Sequence, residues 1–152
     1  MSLLQIAGTS VVEGVEDRAA LENARLINQA RTLLLRSGTA VTVDDIVGVT
    51  GRSRAAVRKS LTRWRSAGRI ATVTHDGQTW VPTVQLTAAL DDVDPLATDV
   101  VTRLVHHGLD GWSVWDWFET PNTWLGGLTP AEAVRTRDGA GLQRAVDGLI
   151  QE

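Results

Sequence analysis

Residues 51–69 read GRSRAAVRKSLTRWRSAGR, and they carry seven basic side chains, Arg52, Arg54, Arg58, Lys59, Arg63, Arg65 and Arg69, with no acid among them. Val57, Leu61 and Trp64 recur there at helical spacing, Ser53 stands where an N-cap belongs, and Gly68 marks the stop. The spacing predicts a helix over Ser53–Ala67. At about 100° per residue its apolar stripe is Val57, Leu61 and Trp64. Ala55, Lys59, Thr62 and Arg63 lie opposite, and Arg54, Arg58 and Arg65 run along one edge.

The flanking sequence predicts what this helix packs against. Leu21, Ala24, Ile27, Ala30 and Leu34 recur at helical spacing and predict a helix over residues 16–37, closed by Gly38. Residues 1–15, with Gly8, Ser10 and Gly14, read as an arm or a short strand. Thr42 and Asp45 form a capping box, with Val41 and Ile46 as its hydrophobic staple, and open a short helix over Val43–Val47. Gly48 to Gly51 turn the chain into the basic helix. Residues 69–74 are β-branched and read as a strand, Asp76-Gly77 is a hairpin turn, and residues 79–81 return before Pro82. Helix, short helix, turn, helix and hairpin in this order predict a winged helix-turn-helix over residues 16–82.

Such a module offers its third helix to the major groove of double-stranded DNA. Lys59, Thr62 and Arg63 are then the candidate base readers, with Ala55 allowing close approach. Arg54, Arg58 and Arg65 are placed for phosphates, and Arg52, Ser53 and Arg69 complete the helix ends. His75 and Gln78 stand at the wing tip. The alternative is an ordinary surface helix with a solvated basic face. The acid-free run, the capped short helix before it and the hairpin after it favour DNA.

The totals fit one domain or two small ones: 152 residues, 43% apolar and 22% charged. There is no cysteine, hence no disulfide and no thiolate metal site. No run approaches the roughly 18 apolar residues of a membrane span, and the first residues lack the basic start of a signal peptide. The expected location is the cytoplasm, with no membrane partner. The net charge of −3 says little, but its distribution is uneven. Residues 86–119 hold Asp91, Asp92, Asp94, Asp99, Asp110, Asp116 and Glu119 against the single base Arg103. Two modules with different partners are predicted, joined by a linker over residues 83–93.

The second module, residues 94–152, reads as all-helical. Asp94-Pro95 starts a helix whose apolar face is Leu96, Val100, Val101, Leu104 and Val105. Residues 111–118 form a short aromatic helix, Thr129 to Glu132 form a second capping box, and residues 141–150 form the last helix. Trp112 and Trp115 share a face and read as core. Trp117 and Trp124 fit either a core or a partner surface.

The run from Thr120 to Val134, TPNTWLGGLTPAEAV, followed by a last helix, resembles the C-terminal toxin-binding domain of the Xre/MbcA/ParS antitoxin family. The likeness spans residues 95–152, and its core is Leu-Gly-Gly-x-Thr-Pro behind an aromatic helix. It implies a RES-domain toxin as partner, a toxin that degrades NAD, blocked at its active site by the antitoxin's C-terminal region. It also implies that the DNA-binding half represses its own operon. Trp124, Leu125, Gly126, Gly127, Thr129 and Pro130 match the family pattern. The terminal residues Leu149, Ile150, Gln151 and Glu152 are the candidates to enter the toxin pocket. The family's own DNA-binding half is all-helical, whereas a hairpin is predicted here.

Nothing in the sequence suggests catalysis. There is no glycine-rich phosphate loop, no nucleophile set beside a histidine, and His106 and His107 are adjacent rather than on one helical face. No cofactor, no metal and no enzyme activity are expected. A homodimer is expected, because helix-turn-helix proteins commonly read two half-sites. Three readings result. The leading one is a DNA-binding antitoxin that represses its own promoter. The others are a stand-alone regulator whose second domain only dimerises, and an interaction adaptor that never touches DNA.

Overall fold

The computed structural model describes residues 3–151, with side chains described from Gly14 onward. Among the described residues the chain is mainly helical, with one small antiparallel sheet. It divides into two compact units, Met1–Arg36 and Ser37–Glu152.

The first unit is a single helix, α1 (Leu3–Arg36). The arm expected over residues 1–15 is therefore helical from Leu3, and Met1 and Ser2 lie outside the described residues. Each glycine costs a helix about 1 kcal/mol, but no proline interrupts this segment, so the helix runs through. The stripe expected to be buried is mostly not: Leu34 is buried, but Leu21 is 72% exposed and Ala24, Ile27 and Ala30 are exposed too.

The second unit opens with β1 (Ala40–Thr42), an element the sequence reading missed. Then come α2 (Val43–Thr50) and α3 (Arg54–Ser66). Thr42 caps α2 through the expected capping box with Asp45, and Ser53 caps α3 by accepting from the Ala56 amide. α2 runs on through Gly48, three residues past its expected end, and Gly51 closes it at φ +71°.

β2 (Val73–His75) and β3 (Gln78–Pro82) form the hairpin, turning at Asp76 and Gly77, both with positive φ. The sheet order is β1-β3-β2, with Val41 opposite Val81 and Val73 opposite Trp80. The strand expected over residues 69–74 is thus shorter and shifted. Ile70 and Ala71 turn into the core instead of pairing in the sheet.

After a 3₁₀ turn (Thr83–Gln85) follow α4 (Pro95–His106), α5 (Gly111–Glu119), a second 3₁₀ turn (Thr123–Leu125), α6 (Pro130–Arg135) and α7 (Gly139–Gln151). Asp94 caps α4, Asp110 caps α5, and Thr129 forms the expected box with Glu132 at α6.

Two cores share this unit. One gathers Val43, Ile46, Val57, Leu61, Trp64, Ile70 and Val81 under α2, α3 and the sheet. The other gathers Val100, Val101, Leu104, Val114, Phe118, Leu142 and Val146 among α4–α7. Residues 83–93 do not behave as a linker. Leu86 and Val93 belong to the first core, and Val84 packs on the second. Gln85 is fully buried: its amide accepts from the Ala71 N–H at 2.7 Å and donates to the Ala71 carbonyl at 2.8 Å. A buried amide is tolerated only when paired in this way. Ile70 serves one core and Ala71 the other, so this stretch joins two cores instead of separating two modules.

Candidate nucleic-acid interface

α3 is held from beneath. Val57, Leu61 and Trp64 are 8% exposed or less, and Ser60 is buried beside them. The opposite face carries Ala55, Lys59, Thr62 and Arg63, all exposed, and the edge residues Arg54, Arg58 and Arg65 are exposed as well. The division predicted from the wheel is the division the fold makes.

Between α3, the start of α2 and the hairpin lies a groove of about 260 Å³. Arg54, Arg58, Thr62 and Arg65 line it from the helix, and Gly77, Gln78 and Thr79 from the hairpin. Three arginines lining one groove give it a positive potential that attracts anions. One acid opposes them. Asp44, in the first turn of α2, lines the same groove and forms an ion pair with Arg54. Its place beside Arg54 follows from how α2 packs on α3, which the sequence around Asp44 does not reveal.

Arg52 stands apart from the expected set. It is half-buried, and its guanidinium donates to Ser60 Oγ at 2.9 Å and to the Ala56 carbonyl at 3.3 Å. It braces α3 from behind. Ser53 is spent on its cap, and Arg69 is exposed just past the helix. At the tip of the β2–β3 hairpin His75 and Gln78 are exposed. His75 meets the ring of Trp112 edge to face, with centroids 6.4 Å apart, and lies 3.3 Å from the Asp76 carboxylate. Trp112 stacks on Trp115, whose indole N–H donates to Thr39 Oγ1 at 2.9 Å. Trp115 is fully buried and Trp112 half-buried. A ladder of rings thus connects the hairpin to α5.

A second candidate surface surrounds the Leu-Gly-Gly turn. Trp124 is 55% exposed, and the edge of its indole rests on Gly148, where a Cβ would come within 2.2 Å of Nε1. Gly148 is therefore the seat of Trp124, a role its sequence context does not reveal. Gly126 and Gly127 adopt φ of +66° and +90° with open space around them, so they serve the turn and not a close contact. Leu125 and Pro130 are buried and Thr129 is a cap. These matched residues build the turn; Trp124 and its exposed neighbour Leu128 face outward. Trp117 is half-buried against Phe118. Leu149 and Ile150 are also half-buried, packed on the core by α7, so they are less free than a pocket-entering tail requires. Gln151 is exposed, and Glu152 lies outside the described residues.

Nearby, Glu119 shares a cleft with Arg135 and Arg137. Burial pushes its carboxyl above the usual carboxylate range, with Arg135 pulling the other way and Glu132 adding to the rise. Among the described residues no helix is long and apolar enough to cross a membrane.

No protein family, curated protein or solved structure matches the chain.

Proposed function

We propose that the protein binds double-stranded DNA through the outer face of α3, with the β2–β3 hairpin as a wing beside it. The observation that carries this reading is the groove where Arg54, Arg58 and Arg65 converge beside the exposed face of Lys59, Thr62 and Arg63. α2 and α3 supply the helix-turn-helix, and β1-β3-β2 the winged sheet. Edge arginines on phosphates would fix the register, and Arg63 and Lys59 would reach base edges.

The reading extends to an antitoxin that represses its own operon and neutralises a RES-type toxin. Its support is the Leu-Gly-Gly-x-Thr-Pro turn, folded between an aromatic helix and a terminal helix, with Trp124 presented outward from its seat on Gly148. Trp124 and Leu128 are the side chains for that partner. Selection of bound fragments from a genomic library tests the DNA reading, and co-expression with a RES-domain protein tests the antitoxin reading. Failure to neutralise or co-purify any RES toxin removes the toxin partner and leaves a DNA-binding regulator. Enrichment of no fragment removes the regulator.

A further inference from the structure

Two properties of α1 point to a partner, and neither concerns DNA. The first is a stripe of apolar side chains. Val15, Ala19, Leu26, Ala30 and Leu33 fall within about 60° of one another around a helix of 3.6 residues per turn. All five are exposed, Leu26 by 53% and Leu33 by 70%. Single exposed leucines are ordinary on protein surfaces. A stripe along one helix is the seam of a helix pair. Glu22 interrupts the stripe, but its carboxylate is bound by Arg25 of the same helix at 2.7 Å, so it enters the seam already paired.

The second property is charge order. Glu16, Asp17 and Glu22 occupy the first half of the described stretch, with Arg18 as the base among them. Arg25, Arg31 and Arg36 occupy the second half, and no acid stands between Asn23 and Val43. Two such helices side by side and parallel would set acid against acid and base against base. Turned antiparallel, each acidic half lies along the other's basic half. The helix dipoles favour the same orientation.

We infer that α1 pairs antiparallel with α1 of a second copy of this chain, closing a twofold-symmetric dimer through Val15, Leu26 and Leu33. The symmetry uses one stripe on both copies, so the assembly stops at two. The Val15 end of one helix then lies beside the Leu33 end of the other.

The chain contains no cysteine, which makes orientation directly measurable. Single Val15→Cys and Leu33→Cys full-length variants are mixed and treated with a short bismaleimide. The antiparallel pair predicts a cross-linked dimer in the mixture and little product from either variant alone. Same-position cross-links at 15 and 33, without the mixed product, would mean a parallel pair and overturn the inference. Sedimentation of the unmodified chain should show a monomer–dimer equilibrium. Leu26→Asp should raise its dissociation constant at least about tenfold with helicity of the monomer unchanged. A chain that stays monomeric up to hundreds of micromolar, or a dimer indifferent to Leu26→Asp, would likewise overturn it. If that variant loses helicity, the cross-linking result alone decides.

Discussion

α1 and α3 are both helices with an apolar stripe and a charged remainder, and the fold treats them in opposite ways. α3 buries Val57, Leu61 and Trp64 almost completely and turns its arginines outward. α1 leaves Val15, Leu26 and Leu33 of its stripe more than half exposed. A periodic stripe says that a helix needs a cover. It does not say whether the cover comes from the same chain. The charges separate the two cases here: α3 is basic along its whole outer face, whereas α1 is acid-then-base along its length. The first pattern suits a polyanion and the second suits a reversed copy of itself.

The largest test of that contrast is stability. Trp64→Ala should cost about 3–5 kcal/mol in denaturant unfolding of the second unit, because the cavity opens inside its core. Leu21→Ala, on the exposed side of α1, should stay within about 0.5 kcal/mol. Equal effects would mean that the Leu21 side chain is buried in solution. Gly111→Ala comes next. Its Cβ would lie 2.0 Å from the Thr72 carbonyl oxygen, a backbone atom that has no rotamer to escape into. The melting temperature should fall clearly, and an unchanged value would show that α5 can shift freely away from residues 70–72.

Binding effects are smaller and sharpen the reading of α3. Arg63→Ala should weaken a selected duplex by about 1–3 kcal/mol and relax its sequence preference, if Arg63 contacts a base. Asp44→Asn should do the reverse. Removing the acid from the groove frees Arg54 for phosphate, so affinity should rise several-fold at low salt in a fluorescence anisotropy titration. A drop in affinity would assign Asp44 a positioning role instead.

The smallest expected effect is at Glu119. Its folded-state carboxyl holds its proton more tightly than in the unfolded chain. The folded state therefore binds more protons between the two pKa values, and stability falls as pH rises through that window. Glu119→Gln should raise the melting temperature slightly at neutral pH, with the gap closing under acid conditions. A gap independent of pH would contradict this origin.

What the sequence showed and what it hid follow one physical division. Caps and turns are local, and Thr42 with Asp45, Ser53, Asp94 with Pro95, Thr129 with Glu132, and Asp76-Gly77 are all found where their spacing placed them. The outer face of α3 is readable for the same reason, since one helix wheel defines it. Features that depend on distant partners were not readable. β1 is three residues long and exists because Val41 meets Val81. Gln85 looked like part of a linker, yet its amide completes the backbone of Ala71. Thr39 holds the indole of Trp115 from 76 positions away, and Gly148 seats Trp124. Trp80 shows the converse case. Its Nε1 is buried without a hydrogen-bond partner, a cost that only the folded packing reveals.

Salt dependence of duplex binding tests the role of α3 most directly. Affinity of the full chain for a selected fragment is measured across a salt series, for the unmodified protein and for Arg58→Ala. The predicted result is a steep linear loss of log affinity with log salt, with the variant weaker on all sequences and its slope shallower by about one unit. No duplex binding at low salt, or binding whose slope Arg58→Ala leaves unchanged, would contradict it.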